Sequence, residues 1–397
     1  MNNPEKQISL RQLFRIFLRL GLTSFGGPIA HLSYFHSEFV VRRRWLKEEA
    51  YADLVALCQF LPGPASSQVG IGIGLSQAGL RGGIAAWCGF TLPSAIVLIL
   101  FAYGVGFFAD GTLNGLLAGL KIAAVAVVAQ AVMGMAHKLC PDTVRRAVAV
   151  LAAVMALFLS GLSGQLVALV FAALCGWFFL PGDNTAATDE HEPLFQGSQR
   201  QSNVGKCLFI ALLFGLPLVV GDNHYLQLVD SFFRSGSLVF GGGHVVLPLL
   251  QAEVVGHGWL DKDLFVAGYG AAQAVPGPLF TFSAYLGAAM ESGVGRWISG
   301  LICLISIFLP SFLLLLGILP YWERLRRNVA VRRVLSGVNA GVVGLLTAAF
   351  FSPVLTSGIH GLSDLLVAGF AFWLLKSRNM PSWSVVLVCG LAGLVIH

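Results

Sequence analysis

Apolar runs follow one another along this chain, each long enough to cross the hydrocarbon core of a bilayer. "IAAWCGFTLPSAIVLILFAYGVGFF" (84–108) and "VRRVLSGVNAGVVGLLTAAFF" (331–351) are two of them. Alternating strands of about ten residues, the mark of a membrane β-barrel, are absent from the pattern. Only 11% of the 397 residues are charged and mean hydropathy is +0.78, where a soluble domain carries about 25% charge. The fold class expected is an all-α polytopic membrane protein. The start, "MNNPEKQISLRQLFRIF", has no short apolar core before a small-residue cleavage site, so no cleaved signal peptide is expected. Seven cysteines, with no CxxC, lie mostly inside apolar runs and read as packing residues. The net charge of +6 needs no nucleic-acid partner, because basic residues collect in cytoplasmic loops.

The chain also aligns to itself. An offset of 215 carries Phe17, Arg19, Gly21, Phe25, Gly26, Gly27 and Glu38 onto Phe232, Arg234, Gly236, Phe240, Gly241, Gly242 and Glu253. An offset of 214 carries Trp45, Gln59, Pro62, Gly63 and Pro64 onto Trp259, Gln273, Pro276, Gly277 and Pro278. Offsets of 217 and 218 bring "LPS" (92–94) onto "LPS" (309–311) and Gly119 onto Gly337. This is an internal duplication: residues 1–180 form a first transmembrane repeat and 223–397 a second. A polar cytoplasmic linker, 181–204, and an inverting helix, 205–222, join them.

Charge gives the relative orientation. "RRRWLK" in the first repeat corresponds to "GHGWLD" in the second, whereas the neutral "ADGTLNG" (109–115) corresponds to the loop of Arg324, Arg326, Arg327, Arg332 and Arg333. Under the positive-inside rule the repeats are inserted upside down relative to one another, a transporter signature. With the N-terminus inside, the basic clusters share one side if 10–41 and 47–79 are hairpins broken at "FGGP" and "PGP". If those segments are full crossings instead, Arg42–Arg44 fall outside.

Why break helices inside apolar sequence, twice? Irregular backbone at membrane depth is tolerated only where it is buried in protein or lines a wet cavity. Half-helices starting there would point free N–H groups at a shared space, and such ends bind anions. Phe25, Gly26, Gly27 and Pro28, with Phe240, Gly241, Gly242 and Gly243, are therefore candidate substrate-binding residues; tight helix packing is the alternative use of the glycines. Pro62, Gly63, Pro64, Ser66, Ser67 and Gln68, with Pro276, Gly277, Pro278 and Thr281, are the second set, ordinary N-capping being the alternative. Arg19 and Arg234 are candidate oxyanion forks, although Arg11, Arg15 and Arg19 also form a stripe suited to the membrane interface. Lys121, deep in its span and replaced by Asn339 in the second repeat, either binds substrate or pairs with a carboxylate. Glu38, Glu253, His31 and His244 are candidates for carrying a coupling proton; the two glutamates serve equally as loop-flanking charges.

Catalysis finds no motif: HExxH, GxSxG, a Walker A loop and a Cys/His metal cluster are all missing. "GIGIGLSQAG" lacks the strand-then-helix setting of a dinucleotide fingerprint. No enzyme activity, cofactor or metal is expected, and energy would come from a gradient.

"FGGP…H", the basic "RRRWL" loop, "QFLPGP" and an "LPS" in each half resemble the chromate transporter family, long-chain two-domain type. The resemblance covers nearly the whole chain and departs at Gly243, where the first repeat has proline. It implies export of chromate across the bacterial inner membrane, with sulfate as a related oxyanion and the proton gradient or membrane potential as the driving force. A transporter of sulfate or another small anion, and a passive anion channel, remain open on the sequence. The partners expected are the oxyanion and the lipid bilayer, with a homodimer as the candidate assembly.

Overall fold

A computed structural model describes residues 8–107, 113–159, 161–180, 199–291 and 295–396. Most of the linker expected over 181–204, and the greater part of "ADGTLNG", lie outside them. Among the described residues the chain is helical, with five helices long and apolar enough to span a membrane: Ala65–Val105, Asn114–Leu139, Gln199–Val219, Gly295–Tyr321 and Val329–Gly358.

The first repeat opens with short helices. α1 (Leu10–Thr23), α2 (Gly27–Phe35, extended by a π-turn to Arg42) and α3 (Glu48–Phe60) precede α4 (Ala65–Phe107). At about 1.5 Å per residue, α1 and α3 are near 20 Å long, too short for a core of about 30 Å. They fold back instead. Phe17 of α1 meets Phe35 and stacks on Phe39 of the following segment, with ring centroids 5.8 and 5.1 Å apart. A Cβ on Gly72 would lie 2.7 Å from Leu54 Cδ1, so α3 and the start of α4 run side by side from the "PGP" break. α4 itself breaks at Ala78 and Gly79, whose backbones are not helical, and a Cβ on Gly74 would then meet Ala86 Cβ at 2.8 Å. Beyond Gly79, α4 becomes the crossing segment.

α5 (Asn114–Leu139), α6 (Thr143–Phe158), α7 (Gly161–Phe179) and α8 (Gln199–Val219) come next. α8 begins inside the segment expected to be linker, before the residue 205 expected for it. The second repeat repeats the plan with α9 (His224–Leu238), α10 (Val246–Leu250, within a continuous helical stretch 243–255), α11 (Lys262–Ala272), α12 (Phe282–Ala289) and α13 (Gly295–Ile318). Its hairpins fold back too: the Tyr285 hydroxyl donates to the Leu264 carbonyl at 2.9 Å across the second "PGP". After α14 (Trp322–Arg327) come α15 (Val329–Ala349), the one-turn α16 (Thr356–Gly358), α17 (Leu362–Ser377) and α18 (Ser382–Ile396).

The repeats exchange their last helices. α6 and α7 pack on α15, while α17 and α18 pack on α5. Glycines set these contacts: Gly119 Cβ would lie 2.8 Å from Gly390 Cα, and its repeat equivalent Gly337 would lie 2.7 Å from Gly176 Cα. Such small-residue seams let backbones approach in a solvent as apolar as the side chains. Large apolar side chains on the outer faces, such as Phe158, Phe178, Leu218 and Val395, stay exposed, as expected of surfaces that meet lipid.

Because each half carries helices that complete the other, two pieces cut between Leu180 and Gln199 and co-expressed are expected to co-purify, while neither survives alone. Pull-down from detergent checks this; either piece purifying by itself as a stable folded species would contradict the exchanged packing.

Candidate functional site

The four breaks converge. The Gly63 N–H donates to the Val239 carbonyl at 2.7 Å, and the Gly277 N–H donates to the Ser24 carbonyl at 3.0 Å. Ser24 and Val239 are equivalent positions, and so are Gly63 and Gly277. Each "PGP" glycine thus hydrogen-bonds the residue just before the "FGG" of the opposite repeat. The "LPS" serines take part as well: a Cβ on Gly63 would lie 2.6 Å from Ser311 Oγ, and one on Gly277 2.8 Å from Ser94 Oγ. Pro28 faces its own equivalent, Gly243, whose Cβ would lie 3.3 Å from Pro28 Cγ. Two equivalent positions in contact mark the pseudo-two-fold axis.

Glycine is required here by the backbone. Gly26, Gly27, Gly63, Gly241, Gly242 and Gly277 all have φ between +75° and +141°, a region side chains avoid. Chain direction changes at each break, and new helices start at Gly27, Ala65, Gly243 and Leu279. Their first-turn N–H groups have no intrahelical acceptor. Phe25 leaves the crossing to meet Trp383 of α18, ring centroids 5.5 Å apart. Gly26 is exposed, and Pro62, Phe240, Gly241 and Pro276 are partly exposed, whereas Pro64 and Pro278 are buried.

Polar side chains line the first repeat's side. The buried His31 donates from Nε2 to the Ser24 carbonyl at 3.2 Å and accepts at Nδ1 from the Ser66 hydroxyl at 3.4 Å. His31 therefore ties the "FGGP" break to the "PGP" break of the same repeat. Gln68 donates from Nε2 to the Pro62 carbonyl at 2.7 Å, bracing the turn. Ser24 Oγ, Ser67 Oγ, Gln68 Oε1 and Ser311 Oγ are buried without a hydrogen-bond partner among the described residues. Buried polar atoms are satisfied in the great majority of cases, so these four, next to the breaks of both repeats, are polar groups in want of a partner. Ser24 and Ser311 bring unpartnered hydroxyls to the breaks beyond the residues expected from sequence, the "LPS" motif being the signal for Ser311, whereas Ser94 is bonded within its own helix.

The charged candidates lie elsewhere. Arg19 is exposed on α1 in line with Arg11 and Arg15, the interface stripe. Arg234 pairs with Asp230 one turn away. Lys121 reaches Asp263 at 3.0 Å, which is the carboxylate its alternative reading required. Glu38 pairs with Arg42, and with Arg43 at 2.6 Å. Glu253 is buried with His257 Nδ1 3.8 Å away. His244 shares a 2.7 Å hydrogen bond with the Tyr269 hydroxyl. The groups seen at the crossing are N–H and O–H dipoles and His31, while Arg19 is exposed and Arg234 and Lys121 are paired with carboxylates.

Fold and site define a duplicated membrane protein whose broken helices meet at one polar centre. The family described as chromate transporter matches residues 11–177 and again 226–394, and the chain belongs to that family. It is 25% identical to the chromate transport protein of Pseudomonas aeruginosa, over 98% of this chain and 93% of that one. It is 26% identical to a probable chromate transport protein of Synechococcus elongatus, over 98% and 95%. The uncharacterized transporter YwrA of Bacillus subtilis is 28% identical over 43% of this chain but 97% of its own length, so that protein has the length of one repeat. No solved structure is a significant match.

Gly63→Ala and Gly277→Ala each add backbone strain and a contact under 3 Å, and each is expected to lower stability by about 2 kcal/mol or more. Gly27→Ala, where a Cβ meets nothing within 4 Å, should cost only the strain, about 1 kcal/mol. Thermal unfolding in detergent orders the three. For Lys121, a double-mutant cycle of Lys121→Met with Asp263→Asn should return a coupling of about 1 kcal/mol, between exposed and buried pairs. A zero coupling, with substrate affinity lost only in the lysine variant, would move Lys121 to the substrate.

Proposed function

We propose that this chain is a secondary active transporter that exports chromate across the bacterial inner membrane. It is multi-pass with a cytoplasmic N-terminus, and a proton, membrane-potential or anion-exchange gradient drives it. The observation that carries this reading is the crossing itself. Helix starts from both repeats converge on buried hydroxyls that have no partner among the described residues, and N–H and O–H groups are what an oxyanion stripped of water needs. The relatives named as chromate transport proteins, matched over nearly their full length, supply the substrate.

The mechanism rests on the bonds across the axis. Each repeat is held to the other at this depth by one N–H···O=C bond per crossing, so rocking one hairpin set against the other opens one side while the opposite crossing stays closed. Under the positive-inside rule, Arg42–Arg44 and the arginine loop around 324–333 support a cytoplasmic position for the loop after the first repeat's first hairpin and for the second repeat's α13–α15 junction. Glu253, buried near Ser231, Arg234, His257 and Asp230, is set to carry a proton. Glu38 holds two arginines and serves the cytoplasmic interface. His31 and His244 sit close enough to the breaks to respond to substrate charge.

Sulfate is the second reading, because dipoles of this kind select charge and tetrahedral shape without seeing the central atom. Inverted membrane vesicles carrying the protein are expected to accumulate labelled chromate when energised, to lose it on adding an uncoupler, and to be inhibited by excess sulfate. Chromate movement that ignores the uncoupler would make the chain a passive channel. Energised accumulation of sulfate with no chromate uptake would change the substrate and leave the transport reading in place.

A further inference from the structure

The two crossings are equivalent in backbone but not in side chains. The α4 start in the first repeat carries Ser66, Ser67 and Gln68, and the matching start in the second carries Phe280, Thr281 and Phe282. Where both repeats keep a hydroxyl, its bonding differs. Thr281 Oγ1 donates to the Pro278 carbonyl at 2.7 Å, whereas its equivalent Ser67 Oγ has no partner among the described residues. Ser94 Oγ donates to the Thr91 carbonyl at 3.0 Å, whereas its equivalent Ser311 Oγ again has none. Both unpartnered serines are nearly sealed from solvent, Ser67 at 3% and Ser311 at 0% exposure.

The backbone differs in the same sense. α4 begins as an α-helix whose first bond is Gln68 N–H to the Pro64 carbonyl, which leaves the N–H groups of Ala65, Ser66 and Ser67 without an intrahelical acceptor. The second repeat begins with a 3₁₀ turn, Thr281 N–H to the Pro278 carbonyl, so Thr281 N–H is already used. The first repeat's start thus leaves one more amide without an intrahelical acceptor than the second's, the amide of Ser67.

We infer that the chain has a single oxyanion site, at the Gly63 crossing, built from the first-turn N–H groups of α4 with Ser67 Oγ and Ser311 Oγ. The Gly277 crossing is a hydrogen-bonded joint that carries no ligand. The inference rests on the oxyanion-transport reading and narrows it to one anion per chain. The ligand class is a small tetrahedral dianion, chromate or sulfate, because the three amides and the two hydroxyls, one from each repeat, are all donors with no fixed cation among them. Gln68 is a positioning residue: its Nε2 holds the Pro62 carbonyl and braces the turn. Since Ser311 comes from the second repeat and Ser67 from the first, the site closes only when the repeats are docked.

Equilibrium binding of radiolabelled sulfate, and of chromate in competition, to the purified full chain tests this. One anion per chain is expected. Ser67→Ala and Ser311→Ala should each weaken binding by about tenfold or more, the worth of a hydrogen bond to a charged group. Their melting temperatures should not fall, because an unpartnered buried hydroxyl contributes nothing to the empty fold. Ser67→Thr, which keeps the hydroxyl, should restore binding to within about threefold of the parent. Thr281→Val and Ser94→Ala should leave affinity within about twofold. So should Thr91→Val, which removes the unpartnered hydroxyl beside the other crossing. Two anions per chain, or losses in the Gly277-side variants equal to those of Ser67→Ala, would overturn the single site and leave oxyanion transport standing. A parent protein that binds neither anion would remove both.

Discussion

Two backbone hydrogen bonds, Gly63 to Val239 and Gly277 to Ser24, hold the rest of this structure in place. A chain that interrupts helices in an apolar solvent leaves N–H and C=O groups that lipid cannot satisfy. Each unsatisfied group costs several kcal/mol on the scale of transfer to hydrocarbon, about 2–7. Here the interruptions answer one another: the amide freed in one repeat meets the carbonyl freed in the other. Half-length helices are stable only because their loose ends are paired across the molecule, which makes the two repeats obligatory to each other at the centre. The exchange of α6–α7 and α17–α18 repeats that dependence at the periphery.

Much of this was legible in the sequence for a physical reason. Prolines and positive-φ glycines are local requirements, so "FGGP" and "PGP" announce the breaks wherever the chain ends up. Repeated offsets revealed the duplication, and the length of the apolar runs gave the crossings. Partners distant in the chain were not legible. Lys121 and Asp263 are 142 positions apart, and nothing local at Lys121 says which carboxylate it will meet. Ser311 is one of three residues in a short motif and becomes part of the centre only because α13 brings it against Gly63. Arg19 and Arg234 look alike through the repeat, yet one lies at an exposed interface and the other is bound to Asp230, a residue whose equivalent in the first repeat is Arg15. That reversal of charge reports which face of the membrane each hairpin meets, a property of the assembled fold.

The dipolar character of the centre bears on what a transporter needs to do. A permanent cation at the site would hold a dianion strongly in every conformation and slow its release. Amides and hydroxyls bind only while they point at an anion, so under the single-site inference a small rotation of one repeat would carry Ser311 Oγ away from the first repeat's donors.

The contact between Pro28 and Gly243 has a historical consequence. On a true two-fold axis a residue faces its own copy, so a change there is made on both sides at once. A proline ring would then press against a second proline ring, in a space where even one added Cβ comes within 3.3 Å of the ring. Joining two repeats in a single chain releases that constraint, because the two positions become separate codons. One can grow a ring while the other gives up its side chain altogether. In this protein that freedom is visible at the axis, where one repeat carries a proline and the other a glycine.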